Sequence, residues 1–180
     1  VYIYDENPSA RVEQIALALA ETGAKRINAE ELPRMPDLCD GLVLSPGIPI
    51  DHPIAVAFKR SGRGVLGETE LAARYLRCNV FAVTGTNGKT TTVSMLTEVL
   101  KKGGYGAWAC GNIGTPMIEV CDLPKESIAV AEISSFQMET LQSLLPHIAI
   151  VLNVTEDHLN RHYNMENYVF LKAKLLKNMA

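Results

Sequence analysis

The chain has 180 residues, of which 47% are hydrophobic, and its formal net charge at pH 7 is -3. This composition is typical of a soluble globular protein with one ordinary domain or two small ones. Neither the part before residue 78 nor the part after it is basic, so the clustered Lys and Arg that displace counterions from nucleic acid or an anionic membrane are missing, and we exclude such surfaces as main partners.

The four cysteines form no C-x-x-C pair and have no histidine at metal-ligand spacing, which argues against a zinc site or a disulfide framework. We interpret them as reduced thiols in a cytoplasmic protein. No apolar run approaches the ~18 residues of a membrane span. The chain begins at Val1 inside an apparent strand and without an initiator Met, so we expect that a preceding segment has been removed.

The first part of the chain alternates between strand and helix patterns. After an opening strand, Ser9 is a candidate N-cap for a helix that Gly23 would end. The further elements predicted here are a strand over 41–44, a turn over 45–47, a helix over 53–61 and a strand around 65–66. This alternation predicts parallel α/β layers with crossover helices on their faces.

The second part begins with an apolar strand over 80–83, followed by a Gly-rich loop and a helix that Gly103 and Gly104 close. Further strands are predicted near 105–109, 127–131 and 147–152, with a helix over 135–145. Continuous apolar strands of this kind suit a parallel sheet that is covered on both faces.

The loop between the strand over 80–83 and the following helix indicates phosphate binding. Small residues let backbone N–H groups point at phosphate oxygens, while a lysine supplies charge and a hydroxyl can bind Mg²⁺. Val83 stands where the general P-loop pattern has its first Gly, so the strict consensus fails by one residue; an ordinary Gly-rich turn is the alternative. The candidate ATP-binding residues are Gly85, Thr86, Asn87, Gly88, Lys89, Thr90 and Thr91.

The same loop resembles that of the Mur ligases, which reads T-G-T-N-G-K-[ST] and lacks the earlier Gly. Three more motifs follow in the order of that family: G-N-I-G over 111–114, E-I-S-S-F-Q-M-E over 132–139 and N-V-T-E-D-H over 153–158. The second of these, with S-P-G-I over 45–48 and G-E-T-E-L over 67–71, is most similar to the member that adds D-glutamate to UDP-N-acetylmuramoyl-L-alanine. The resemblance implies an ATP-dependent amide-forming ligase of peptidoglycan synthesis that acts through an acyl phosphate.

The resemblance also implies a domain organisation. We expect an α/β protein with a Rossmann-like UDP-sugar-binding domain over residues 1–77 that lacks its first strand. We expect a P-loop-type ATPase domain with a mainly parallel sheet over residues 78–180, itself incomplete. The C-terminal domain that completes the amino-acid site in this family would follow Ala180, so we expect the chain alone to be inactive.

Several residues acquire candidate roles from these motifs. Glu132 would hold Mg²⁺ with Thr90, although it could also be a carboxylate that merely precedes a helix. His158 would bind a second Mg²⁺ or the substrate carboxylate, and its alternative is a surface histidine. The candidate substrate-binding residues, which without the resemblance would be turn formers and helix caps, are Ser45, Pro46, Gly47, Asn112, Ser134 and Gln137.

Lys172 is the candidate for a special chemical state. In the Mur ligases a lysine four residues after a tyrosine, here Tyr168, is carbamylated by CO₂ and helps to hold the second Mg²⁺. Carbamylation needs a neutral amine, so burial must lower the pKa of this lysine. Leu171 departs from the usual Y-x-x-A-K pattern, and Lys174 is a rival that a helix would turn about 200° away. A solvated lysine on a charged helix face is the alternative.

Other functions remain open at this level. A nucleotide-dependent switch or motor ATPase would share the phosphate loop, and a noncatalytic UDP-sugar-binding module would not need Lys89 and Thr90. Within the family, a relative that adds a different amino acid is the main alternative. We expect a monomer whose domains move as rigid bodies to close over ATP.

Overall fold

A computed structural model describes residues 1–7 and 9–177 of the chain. The chain divides into two compact units, the first formed by Val1–Leu42 and Asp51–Gly64 and the second by Val43–Ile50 and the described residues from Val65 on. Residues 43–50 and 65–77 therefore belong with the second unit by their contacts. The domain boundary that we predict after residue 77 stays a prediction.

The first unit contains short strands and helices. Ser9 caps the first helix as predicted, because its side chain accepts a hydrogen bond from the backbone N–H of Val12 at 3.3 Å. The first two strands pair in parallel, and the third and fourth form a separate two-stranded sheet. The elements up to residue 67, of which β3 and β4 each run from the first unit into the second, are β1 (Tyr2–Ile3), α1 (Ala10–Ala20), β2 (Lys25–Arg26), a 3-10 helix (Leu32–Arg34), α2 (Met35–Leu38), β3 (Gly41–Leu44), α3 (Pro53–Arg60) and β4 (Gly64–Gly67).

The second unit contains the main sheet and most of the longer helices. Its further elements are α4 (Glu68–Tyr75), β5 (Asn79–Thr84), α5 (Lys89–Lys102), β6 (Ala107–Gly111), a 3-10 helix (Met117–Val120), β7 (Ile128–Glu132), α6 (Ser135–Met138), β8 (Ile148–Val151), α7 (Leu159–His162) and α8 (Met165–Lys177). Across residues 1–7 and 9–177, no helix combines the length and apolar character needed to cross a membrane.

The main sheet has the strand order β6-β7-β5-β8, and all its neighbouring strands are parallel. The predicted α/β class with parallel strands is thus confirmed. Because the strands are parallel, the loops that follow them leave the sheet at the same edge, where α/β folds place their ligands. This edge carries the candidate site. Glu132 is the last residue of β7, and the other strands are followed by the phosphate loop, Asn112 and the segment 153–158.

Both faces of this sheet are covered. Val80 and Ala82 pack into one hydrophobic cluster with residues of α4, α6 and α8, whereas Val83 and Val130 pack into another with residues of α5. Every residue of β7 is buried, as the continuous apolar run predicts for a strand between two layers. This rigid sheet fixes the starting points of the loops that form the candidate site.

The predicted helix over 135–145 is wrong in its length, because α6 ends at Met138. The buried carboxylate of Glu70 accepts hydrogen bonds from the backbone N–H groups of Gln142 and Ser143 at 2.7 and 2.8 Å. These two donors would otherwise bond to carbonyls one turn earlier. A side chain from α4 thus replaces the helical hydrogen bonds.

Candidate functional site

The phosphate loop connects β5 to α5 as predicted. Gly88 precedes the helix with a φ of 82°, a left-handed conformation that favours glycine. The Lys89 ammonium folds back over the loop and donates to the carbonyls of Gly85 and Thr86 at 2.9 and 2.8 Å. Thr90 and Thr91 follow in the first turn of α5 and are exposed. The loop therefore presents a lysine and hydroxyls around a helix N-terminus, which suits phosphate groups.

A second segment fastens this loop from outside. The Asn153 side chain accepts from the backbone N–H of Asn87 at 2.9 Å and donates to the Asn87 carbonyl at 3.0 Å. The Thr86 hydroxyl accepts from the backbone N–H of Thr155 at 3.0 Å and lies 3.2 Å from the Thr155 carbonyl. Both contacts come from the N-V-T-E-D-H motif, in which only the histidine was predicted to have a role.

Glu132 lies at the end of β7, directly beside β5, where its position was predicted. Its side chain is buried and accepts a hydrogen bond from the Thr90 hydroxyl at 2.7 Å and another from the Asn112 amide at 2.9 Å. Hydroxyl, amide and carboxylate oxygens are ligands that Mg²⁺ accepts. Thr90 and Glu132 thus offer oxygen ligands that fit a magnesium ion, Asn112 holds the Glu132 carboxylate, and the structure brings together three residues predicted from separate motifs.

Glycine makes this arrangement possible at Gly111. This residue has a φ of 96°, and a Cβ atom built on it would lie 2.2 Å from the Glu132 carbonyl oxygen. The next residue, Asn112, donates its backbone N–H to the same carbonyl at 2.8 Å. The close backbone contact brings the Asn112 side chain to the Glu132 carboxylate.

Lys172 lies on α8 and is buried, with 2% of its surface exposed. Its ammonium donates to the Gly85 carbonyl at 2.9 Å, the same oxygen that Lys89 contacts. Burial, with a smaller effect from the positive charge of Lys89, lowers the pKa of Lys172 to about 8. The rival Lys174 points elsewhere and donates to the Met138 carbonyl at 2.6 Å. The solvated-lysine alternative is therefore wrong for Lys172.

The predicted histidine and a second, unpredicted one both lie against the Phe136 ring. His158 is half exposed, and its ring lies 4.8 Å from that of Phe136 and 3.4 Å from the Asp157 carboxylate. His162 is buried, with its Nε2 2.9 Å from the Ser135 hydroxyl and its Nδ1 3.6 Å from the Glu139 carboxylate. Burial lowers the pKa of His162, although the Glu139 carboxylate acts in the opposite direction.

Of the candidate substrate residues, Ser45, Pro46 and Gln137 line one cleft of the second unit, whereas Asn112 and Ser134 do not. Ser134 and Gln137 form a capping box at the start of α6. Gln137 also donates to the buried Thr69 hydroxyl at 2.8 Å. The residues lining this cleft include Ser45, Pro46, Ile48, Thr69, Phe136, Gln137 and Glu139. Gly47 is adjacent in the same turn and accepts a hydrogen bond from Arg161 at 3.4 Å.

Comparison with known proteins bears directly on this arrangement. The Mur ligase middle domain matches residues 83–180, more than half of the chain. The chain belongs to the Mur ligase family. The sequence of the phosphate loop predicts this family, and the motifs of the family lie at the carboxyl edge of the main sheet.

Two relatives of this Mur ligase chain carry the same name. The chain is 42% identical over 146 residues to the UDP-N-acetylmuramoylalanine--D-glutamate ligase of Clostridioides difficile, covering 80% of this chain and 32% of the relative. It is 39% identical over 179 residues to the enzyme of that name from Lachnospira eligens, covering 99% of this chain and 40% of the relative. The chain thus spans about a third of the length of the curated relatives it matches.

Solved structures show a similar fold. A UDP-N-acetylmuramate:L-alanyl-gamma-D-glutamyl-meso-diaminopimelate ligase from Neisseria meningitides matches all of this chain and 60% of its own, with 17% identity and a TM-score of 0.64. The UDP-N-acetylmuramate-alanine ligase of Thermotoga maritima matches 99% of this chain and 41% of its own, with 21% identity and a TM-score of 0.53. At these identities the likeness concerns the fold alone.

Proposed function

We propose that the protein is an ATP-dependent ligase that joins D-glutamate to UDP-N-acetylmuramoyl-L-alanine through an acyl phosphate, in peptidoglycan precursor synthesis. The observation that carries the proposal is the contact of Glu132 with Thr90 and Asn112 beside the phosphate loop. A switch ATPase would need the loop but not the cleft formed by residues 45–48 and α6. The names of the relatives support D-glutamate as the added amino acid.

The residues around the phosphate loop would hold ATP and Mg²⁺. Bound ATP with Mg²⁺ supplies the phosphoryl group that activates the substrate carboxylate. The Lys89 ammonium would exchange its contacts with the Gly85 and Thr86 carbonyls for phosphate oxygens. Thr90 and Glu132 would hold the metal through their oxygen atoms, and Asn112 would keep the Glu132 carboxylate oriented.

Lys172 would act as a carbamate at a second magnesium site together with His158. The ammonium would first lose a proton to water; the neutral amine would then add its lone pair to the carbon of CO₂, and loss of a second proton from nitrogen to water would leave an anionic carbamate with two oxygen ligands. Burial beside Gly85 and a pKa lowered to about 8 support this role, because both favour the neutral amine. His158 lies in a separate segment after β8, with its ring half exposed.

The cleft around residues 45–48 would take the UDP-sugar-linked alanine. Ser45 and Pro46 line this cleft from the turn over residues 45–48, with Gly47 beside them, and Gln137 lines it from α6. Ser134, which pairs with Gln137 in the capping box, and Asn112, beside the Glu132 carboxylate, would contact the substrate or its metal.

We further propose that the protein acts as a cytoplasmic monomer without a nucleic-acid or membrane partner. The absence of a basic half in the sequence and the four free thiols support this part of the proposal.

Phosphate release by the full-length protein tests the function. The assay contains ATP, Mg²⁺ and UDP-N-acetylmuramoyl-L-alanine, with D-glutamate, L-lysine, diaminopimelate or no amino acid added in parallel. We expect release only with D-glutamate, and we expect Lys89→Ala to abolish it. Lys101→Ala is the matched control, because Lys101 lies on the same helix in an exposed ion pair with Glu98.

Each outcome has a clear meaning. Release with another amino acid would assign the protein to a different member of the family and leave the site residues in place. Release that needs no UDP-sugar would overturn the ligase proposal in favour of a switch or motor ATPase. Equal loss in the Lys101→Ala control would show that the assay reports helix stability rather than phosphate binding.

A further inference from the structure

Arg161, at the third position of α7, makes contacts that the phosphate site does not explain. Its guanidinium binds the Glu139 carboxylate through two nitrogens, with Nε–Oε1 and Nη2–Oε2 distances of 2.9 and 2.6 Å. It also donates to the carbonyls of Ile48 at 3.2 Å and Gly47 at 3.4 Å. One side chain therefore joins the end of α6 to the turn over residues 45–48.

This ion pair is well protected from water. The side chains of Arg161 and Glu139 are 16% and 7% exposed, and the guanidinium carbon lies 5.0 Å above the Phe136 ring. His162 approaches the same carboxylate from another direction at 3.6 Å. A carboxylate fixed in this way holds the guanidinium in one orientation. In that orientation Nη1 and Nη2 donate to the carbonyls of the turn.

The turn and α6 line the same cleft. Pro46 and Ile48 line it from the turn, and Phe136 and Glu139 line it from α6 and its C-cap. The two carbonyls that Arg161 binds belong to the turn itself. Its contacts therefore tie the turn to the C-terminal end of α6 beside the cleft.

We propose that Arg161 is a positioning residue that works with Glu139 to hold the turn over residues 45–48 in the conformation that binds the UDP-linked substrate. This inference rests on the proposed function. The role requires arginine rather than a positive charge alone. A lysine ammonium is a point charge that cannot bind a carboxylate at two positions and reach two carbonyls at once.

Substitution in the full-length protein tests the role. Arg161→Lys keeps the charge and loses the planar fork, and Glu139→Gln keeps the shape and loses the carboxylate. In each variant we expect the Kd for UDP-N-acetylmuramoyl-L-alanine, measured by calorimetry, and the KM for the same substrate to rise about tenfold. The KM for ATP should stay within about twofold, because the phosphate loop has other supports.

A residue with only a structural role would instead lower the folded fraction and kcat while leaving the substrate Kd unchanged. Arg74→Lys is the matched control. Arg74 binds the buried Glu70 carboxylate at 2.9 Å, and neither residue lines the cleft. This control should leave the Kd for the UDP-substrate and both KM values unchanged. In the Arg161→Lys, Glu139→Gln double variant, the rise in Kd should be smaller than the product of the two single rises, because the residues act through one contact.

The outcomes separate this inference from the function on which it rests. If the unmodified protein binds the UDP-substrate and Arg161→Lys binds it equally well, the positioning role is overturned and the ligase proposal stands. A parallel rise in the KM for ATP would also overturn it. If the unmodified protein binds no UDP-sugar at all, both proposals fail.

Discussion

The lowered pKa of Lys172 leads to a quantitative prediction. A pKa of about 8 leaves about a quarter of the amine neutral at pH 7.5, whereas an ordinary lysine with a pKa of 10.5 is only about 0.1% neutral. The difference corresponds to about 3 kcal/mol in favour of the neutral form. Because Lys172 is almost fully buried, solvent screening should reduce this preference little.

Removal of a neighbouring charge separates the two causes. Burial is the larger cause and the Lys89 ammonium the smaller one. In Lys89→Met the pKa of Lys172 should therefore rise above about 8 but stay below 10.5, since burial remains. The measurement is an NMR titration of protein labelled with ¹³C at the lysine ε-carbon, with the Lys172 signal identified by its loss in Lys172→Met.

The same shift links stability to pH. Between about pH 8 and 10.5 the unfolded chain binds more protons at this lysine than the folded chain, so folding should become more favourable as pH rises through that window. The unfolding free energy of the unmodified protein should rise with pH relative to that of Lys172→Met by up to about 3 kcal/mol. A titration midpoint near 10.5, or parallel stability curves for the two proteins, would refute the reasoning.

Three further substitutions test the supports of the site. Gly111→Ala should cost at least about 2 kcal/mol of unfolding free energy in urea, because the new methyl group meets the Glu132 carbonyl and the φ of 96° is strained; an unchanged midpoint would contradict this close contact. Glu70→Gln should cost about 2–4 kcal/mol at pH 7. Burial raises the pKa of Glu70, but four hydrogen bonds outweigh burial, so the pKa is lowered overall. The stability that the Glu70 carboxylate provides is therefore present above the unfolded pKa and lost as pH falls through the folded pKa. The unfolding free energy of Glu70→Gln should fall less steeply below about pH 5 than that of the unmodified protein, and equal slopes would argue against this role. Asn153→Ala removes the paired contacts to Asn87 and should weaken ADP binding about fivefold in calorimetry, whereas unchanged affinity would show that the loop is rigid without them.

The strands of the main sheet were predictable from their apolar runs, even where, as in β8, the strand is only partly buried. Runs such as residues 80–83 and 148–152 are continuously apolar, and the structure places them in a parallel sheet covered on both faces. Helix α4 was not predicted because its buried positions include Thr69 and Glu70, which do not produce an apolar period. The same carboxylate binds the backbone N–H groups of Gln142 and Ser143, where the predicted helix would have continued, so one polar side chain bears on both failures.

The first contacts of the site were predictable, but their supports were not. The sequence indicates the end of β7, where Glu132 lies, and the start of α5, where Thr90 lies. Because β5 and β7 are parallel neighbours, the sheet brings these two residues together. Asn153 and Arg161 instead act through backbone carbonyls and amides far away in sequence. Every residue has a backbone carbonyl, so the residue type at the accepting position does not reveal that a side chain binds there.

This difference explains why the motifs are longer than the chemistry requires. A phosphate loop alone needs only its glycines, Lys89 and Thr90, yet the segment after β8 contributes Asn153 to that loop and Arg161 to the turn over residues 45–48. Hydrogen bonds at both ends of one segment connect it to the phosphate loop and to the turn beside the cleft. A displacement of this segment should therefore disturb nucleotide and UDP-substrate sites together, whereas loss of Arg161 alone should disturb only the second.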